Sequence, residues 1–96
     1  MIRSFSDSAT EDIFNGSNSK AARAIPRELW TVVRRKLDMV NATTTVGALR
    51  VPPGNRLEAL KGNRAGSFSI RVNAQYRIPF RVEGEDALDV RCEDYH

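Results

Sequence analysis

Two runs of alternating residues constrain this chain more than anything else in it. Phe68, Ile70 and Val72 alternate with Ser67, Ser69 and Arg71; Tyr76, Ile78, Phe80 and Val82 alternate with Arg77, Pro79 and Arg81. A period of two marks strands with one buried face. A two-residue turn at Asn73-Ala74 would set Val72 against Gln75, apolar against polar. A three-residue loop, Asn73-Ala74-Gln75, sets Val72 against Tyr76 and Ile70 against Ile78. Register follows the buried face, so the three-residue loop is expected. It also sets Arg71 directly across from Arg77 on the other face. Like charges in that position are destabilising unless an anion or nearby acids balance them.

A last strand supplies such acids, with Leu88, Val90 and Cys92 as its apolar face. Pairing Val82 with Leu88 would put Arg81 across from Asp89 and Arg77 across from Glu93, so Arg81 reads as an ordinary cross-strand ion pair. Pro79 lacks an N–H and marks a local gap in the ladder.

Upstream, Ile2 to Phe5 reads as a short first strand. Ser8 with Glu11 fits a capping box for a short helix, with Ile13 and Phe14 as its apolar face and Asn15-Gly16 as its stop. Residues 16–24 are a polar connector. A longer helix is expected from Pro26, since proline suits the first helical position. Leu29, Val33, Leu37 and Val40 form its apolar stripe, with Trp30 beside them. Arg34, Arg35 and Lys36 fall mostly off that stripe and read as a solvated face. Asn41 to Thr45 ends the helix. Val46 to Asn55 is a loop closing in Pro-Pro-Gly-Asn, Leu57 to Lys61 is a short strand, and residues 62–66 form a second loop. The expected order is β-α-α-β-β-β-β: one α+β domain over residues 1–96, with two N-terminal helices on one face of a small, mainly antiparallel twisted sheet.

Composition removes several classes of function. No apolar run approaches the roughly 20 residues that span a bilayer, and the first residues lack the apolar stretch of a secretory signal. A lone Cys92 gives no disulfide framework and suits a reducing, cytoplasmic home. One His and one Cys do not make a zinc site. Phosphate-binding glycine loops are absent, and a Ser-His-Asp triad would lack its nucleophile-elbow motif. No metal or cofactor is expected.

The charge is unevenly spread. Residues 50–81 hold seven Lys and Arg against Glu58 alone, a net +6, whereas residues 82–96 carry a net −5. A basic segment of this kind can hold an anionic polymer, or it can pair with the acidic one as a neighbouring strand. Cleavage of RNA needs little more than such a surface. RNA supplies its own nucleophile, the 2′-OH; the protein must align it, stabilise charge on the phosphoryl oxygens and move protons. Arginine suits the second task and histidine the third. Arg71, Arg77, Lys61 and His96 provide these types, and Tyr95 could stack on a base or share in proton transfer. Each also has a plain reading: His96 as a frayed end, Lys61 and Arg64 as solvated loop charges, Tyr76 and Tyr95 as packing residues. Residue types alone describe a basic α+β domain that binds nucleic acid.

Several stretches together resemble the HigB branch of the RelE-type bacterial toxins. They are Pro52-Pro53-Gly54-Asn55-Arg56-Leu57-Glu58, Leu60-Lys61-Gly62, Arg64 and Gly66, Ser69-Ile70-Arg71-Val72-Asn73, Gln75-Tyr76-Arg77-Ile78 and Asp94-Tyr95-His96. The resemblance covers nearly the whole chain and is weakest before Pro26. It implies a compact toxin that cuts mRNA in the ribosomal A site without a metal. It also implies a HigA-like helix-turn-helix antitoxin as partner, with operator DNA reached only through that complex and no contact with membranes. The family's lysine falls on Lys61, its strand arginine on Arg77, and its terminal acid, tyrosine and histidine on Asp94, Tyr95 and His96. Arg56, Arg64 and Arg71, with Glu58 beside them, would line the RNA. Some relatives carry a histidine just before the lysine, where this chain has Leu57-Glu58-Ala59. A second proton-transfer role then falls to Glu58, Lys61 or Tyr95, or is absent. Two other functions fit the same residues: a non-catalytic module that blocks translation, and a degenerate toxin acting as corepressor with its antitoxin.

Overall fold

The computed structural model describes residues 1–64 and 66–94. Helix α1 spans Ser8–Phe14 and helix α2 Trp30–Ala42. Five strands follow: β1 Glu58–Ala59, β2 Ser67–Arg71, β3 Tyr76–Glu83, β4 Asp86–Leu88 and β5 Glu93–Asp94. The sheet runs β1-β2-β3-β4, with β5 also paired to β3, and every strand pair is antiparallel.

The hairpin takes the register its alternation demands. Ile70 faces Ile78 and Arg71 faces Arg77. The three-residue loop is held by Asn73, whose Oδ1 accepts from the Gln75 and Tyr76 amides at 2.8 and 2.7 Å; such a side-chain turn is a common use of asparagine. Ile70, Ile78 and Phe80 are buried under the helices with Val33, Leu37 and Val40 of α2 and Ile13 of α1. The α2 stripe therefore packs as its spacing requires.

Besides the later start of the second helix, where Pro26 opens a 3-10 turn at Arg27–Leu29 and not the α-helix expected from it, four expectations need correction. The cap of α1 is Asp7 rather than Ser8: its side chain accepts from the Thr10 amide at 2.8 Å. Ile2 to Phe5 does not form a strand of its own but makes two parallel bridges, Ile2 to Ala87 and Phe5 to Val90. Lys36 is buried rather than solvated. It lies three residues from Val33 and four from Val40, so it shares their side of the helix, and its ammonium donates to Asn55 Oδ1.

The fourth correction concerns the last strand. Val82 pairs with Ala87, not Leu88, while Arg77 does pair with Glu93. Five steps on β3 thus match six on its partner, which requires one extra residue between β4 and β5. Asp89 lies in this gap, with φ +55. The residues turned to the core are Ala87, Val90 and Cys92. The Ser4 hydroxyl accepts from the Asp89 amide at 2.9 Å, and the Ser6 hydroxyl donates to the Asp89 carbonyl at 2.7 Å. The N-terminal segment therefore satisfies backbone groups that the bulge removes from the ladder.

Candidate functional site

The face of the sheet turned away from the helices carries most of the expected site. Alternation places Ser67, Ser69 and Arg71 of β2 and Arg77, Pro79 and Arg81 of β3 on this outer face. Glu58 stands across from Ser69, and Glu93 across from Arg77. Arg64 and Arg91 reach in from the flanks and share one Glu93 oxygen, Oε1, at 3.4 and 2.8 Å.

Arg77 is the centre of this surface and is only 8% exposed. Its Nε donates to Ser69 Oγ at 2.8 Å, and its Nη2 donates to the Arg56 carbonyl at 2.7 Å and the Ser69 carbonyl at 3.1 Å. The fork of the guanidinium allows one side chain to hold a strand and a loop together. Arg56 itself is left-handed, with φ 44, which turns its carbonyl into reach while its side chain stays exposed. The preceding Asn55 is fully buried. It accepts from Lys36 and donates to the Leu49 carbonyl at 3.1 Å. The Pro-Pro-Gly-Asn-Arg turn is thus anchored to α2 through Asn55 and to the outer face through Arg56.

The expected site residues separate into two groups. Arg71, Arg77 and Asp94 lie at the end of the sheet next to the Asn73 loop; Asp94 pairs with Tyr76 and accepts from Gln75 Nε2 at 2.8 Å. Lys61 lies toward the opposite end, beyond the Leu60 amide that donates to the Ser67 carbonyl at 2.9 Å; Arg64 starts from that end too, but its guanidinium reaches Glu93 across from Arg77, and Arg64 and Arg77 line one small pocket with Ser69 and Pro79. At about 3.3 Å per residue the two ends are roughly 15 Å apart along the strands. Lys61, Arg56 and Glu58 are exposed and Arg71 is half-buried. Tyr95 and His96 lie outside the described residues. Among the described residues, no three His, Cys, Asp or Glu side chains gather as metal ligands.

Arg81 plays the structural part expected of it. Its Nε donates to Asp89 at 3.3 Å and its Nη1 to Glu83 at 3.2 Å, and these bonds raise its pKa. Burial lowers the pKa of the Lys36 ammonium, with Arg35 adding to the effect. Burial, with Asp7 and Glu93 nearby, pushes the Cys92 thiol up to about 12. Sequence reasoning missed Ser69 and Asn55 as parts of this site; it set Glu93 across from Arg77 but did not foresee that Arg64 and Arg91 share its carboxylate. Ser69 was legible in principle, because the hairpin register already set it on the same face as Arg77, two pairs along the ladder.

Comparison with known proteins places the chain. The profile of a family described as RelE-like toxin of type II toxin-antitoxin system HigB matches residues 3–96. The chain is 41% identical over 85 residues to "Toxin HigB-1" of Vibrio cholerae, covering 88% of this chain and 87% of that protein. It is 30% identical over 96 residues to "Endoribonuclease HigB" of Proteus vulgaris, covering 100% of both. Among solved structures, a chain of the YoeB-YefM complex from Staphylococcus aureus superposes with a TM-score of 0.62 at 18% identity, covering 100% of this chain and 98% of that one. The YoeB/ParE toxin from Agrobacterium tumefaciens gives 0.60 at 16% identity, with 98% and 99% covered. At those identities the two structures speak for the fold alone.

Proposed function

The chain belongs to the HigB-like family of RelE-like toxins of type II toxin–antitoxin systems, and from that premise we propose that it is an endoribonuclease cutting mRNA in the ribosomal A site. The observation that carries this reading is the buried Arg77, a fixed positive charge on the outer sheet face, beside the strand that leads into the C-terminal residues. Its bonds to Ser69 and Arg56 hold that charge in place before substrate arrives, and preorganised charge is what a phosphoryl-transfer site needs. The full-length relative named an endoribonuclease adds support.

The 2′-OH attacks the adjacent phosphate, leaving a 2′,3′-cyclic phosphate and a 5′-OH. His96 transfers the proton, Arg77 and Lys61 act on the scissile phosphate, and Tyr95 and Asp94 position the reacting groups. Arg56, Arg64 and Arg71 hold flanking phosphates, with Glu58 at their edge. The chemistry needs no metal, because RNA brings its own nucleophile. A HigA-like helix-turn-helix antitoxin neutralises the toxin in the cytoplasm, and the pair reaches operator DNA through that partner. Replacing His96 by alanine tests the assignment: new 5′-OH ends should disappear from cellular mRNA while antitoxin binding is kept. Unchanged cleavage would remove His96 from the mechanism. Translation arrest by the intact chain without new 5′-OH ends would mean a non-catalytic blocker.

A further inference from the structure

The helical layer carries a second basic surface, on the side of the sheet away from Arg77. Residues 16–35 hold Lys20, Arg23, Arg27, Arg34 and Arg35 against Glu28 alone, a net +4. Within this stretch a groove of about 250 Å³ opens between the end of α1 and the first turns of α2. Ile13 and Trp30 form its apolar wall, Arg27 and Arg34 line it, and no acidic side chain does. The Arg27 guanidinium lies over the Trp30 ring, 4.9 Å from its centre. Arg34 lies against Gly16, where a Cβ would stand 3.5 Å from Nη1. Arg3, Arg64, Arg81 and Arg91 all meet carboxylates, but among the described residues Arg27 and Arg34 do not.

We propose that this groove binds an acidic, partly apolar segment of a protein partner, with carboxylates on Arg27 and Arg34 and an apolar side chain against Trp30. Planar guanidinium groups with no internal acid are suited to bidentate carboxylate pairing. A nucleic acid fits less well. Trp30 already spends its indole N–H on the Ile25 carbonyl at 2.8 Å, packs against the core and carries Arg27 over its ring, so it offers a base little to stack on. Because α2 covers the Ile70 and Ile78 face, a partner seated here leaves the outer sheet face uncovered.

The antitoxin is the partner to use, and only that choice rests on the toxin reading. Trp30 is the one tryptophan in the chain, so fluorotryptophan labelling gives a single fluorine NMR signal at the groove. Adding purified antitoxin should shift it. The double variant Arg27→Glu, Arg34→Glu should bind antitoxin roughly tenfold or more weakly, while cleaving RNA as the parent does, which also shows that it folds. A complex that forms without moving the signal overturns the proposal, as does a double variant that binds as tightly. A signal moved instead by an RNA oligonucleotide, with the same dependence on the two arginines, overturns it in favour of RNA. Antitoxin binding at the groove without any RNA cleavage would sink the nuclease reading and leave this one standing.

Discussion

Arg77 is a buried charge held by a serine side chain and two backbone carbonyls. Burying an ion is costly unless its donors are satisfied, so its fork is as important as its charge. Arg77→Lys keeps the charge and loses the fork. Chemical denaturation should show a loss of about 2 kcal/mol for Arg77→Lys and at least as much for Arg77→Ala. Cleavage should fall in both, with RNA affinity better kept in the lysine variant. The alternation predicted which residue faced Arg77 but not how it is held, because the Arg56 carbonyl comes from a loop twenty-one residues away. Cys92 supplies a second prediction. The folded thiol holds its proton up to about 12, against a usual 9.0. Between those values the native state binds more protons than the unfolded chain, so this group's contribution to stability is full below about 9 and is lost as the pH climbs to about 12. Cys92→Ser should flatten that alkaline decline in thermal melts. At neutral pH, thiol reagents should label Cys92 only in unfolded protein.

The Pro-Pro-Gly-Asn-Arg turn gains its definition from contacts that its own composition does not reveal. Asn55 meets the Lys36 ammonium inside the protein. Asn55→Ala should cost about 3 kcal/mol, because it leaves a buried ammonium without its acceptor. Lys36→Met should cost less, and the double variant should cost less than the two singles together, which a double-mutant cycle by denaturant unfolding would measure. The bulge before β5 makes a different prediction. Asp89 holds φ +55, a conformation asparagine tolerates and β-branched residues do not. Asp89→Asn should be nearly neutral and Asp89→Val should destabilise by more than about 1 kcal/mol. Turn residues at Asn73-Ala74-Gln75 were readable because the loop is local. The bulge was not, since it arises from matching two buried faces that are one residue out of step.

Across the whole molecule, positive charge collects on two sides of one thin sheet. Under the proposed function, Arg56, Lys61, Arg64 and Arg71 meet phosphates, so RNA affinity should fall with salt at a log–log slope of roughly −3 for a single strand; a flat salt response would argue against that assignment. The two helices, the hairpin register and the basic face can be read from the order of residues. All of these follow from short periods and local turn chemistry, which act between near neighbours. The folded packing is what makes Lys36 a buried anchor, brings Arg77 to the Arg56 loop, lets two arginines share Glu93 and closes the bulge with the N-terminus. Apart from the neighbouring Arg91–Glu93 pair, those contacts join residues from 19 to 85 positions apart. The local pattern permits them, and the packing of helices against the sheet selects them.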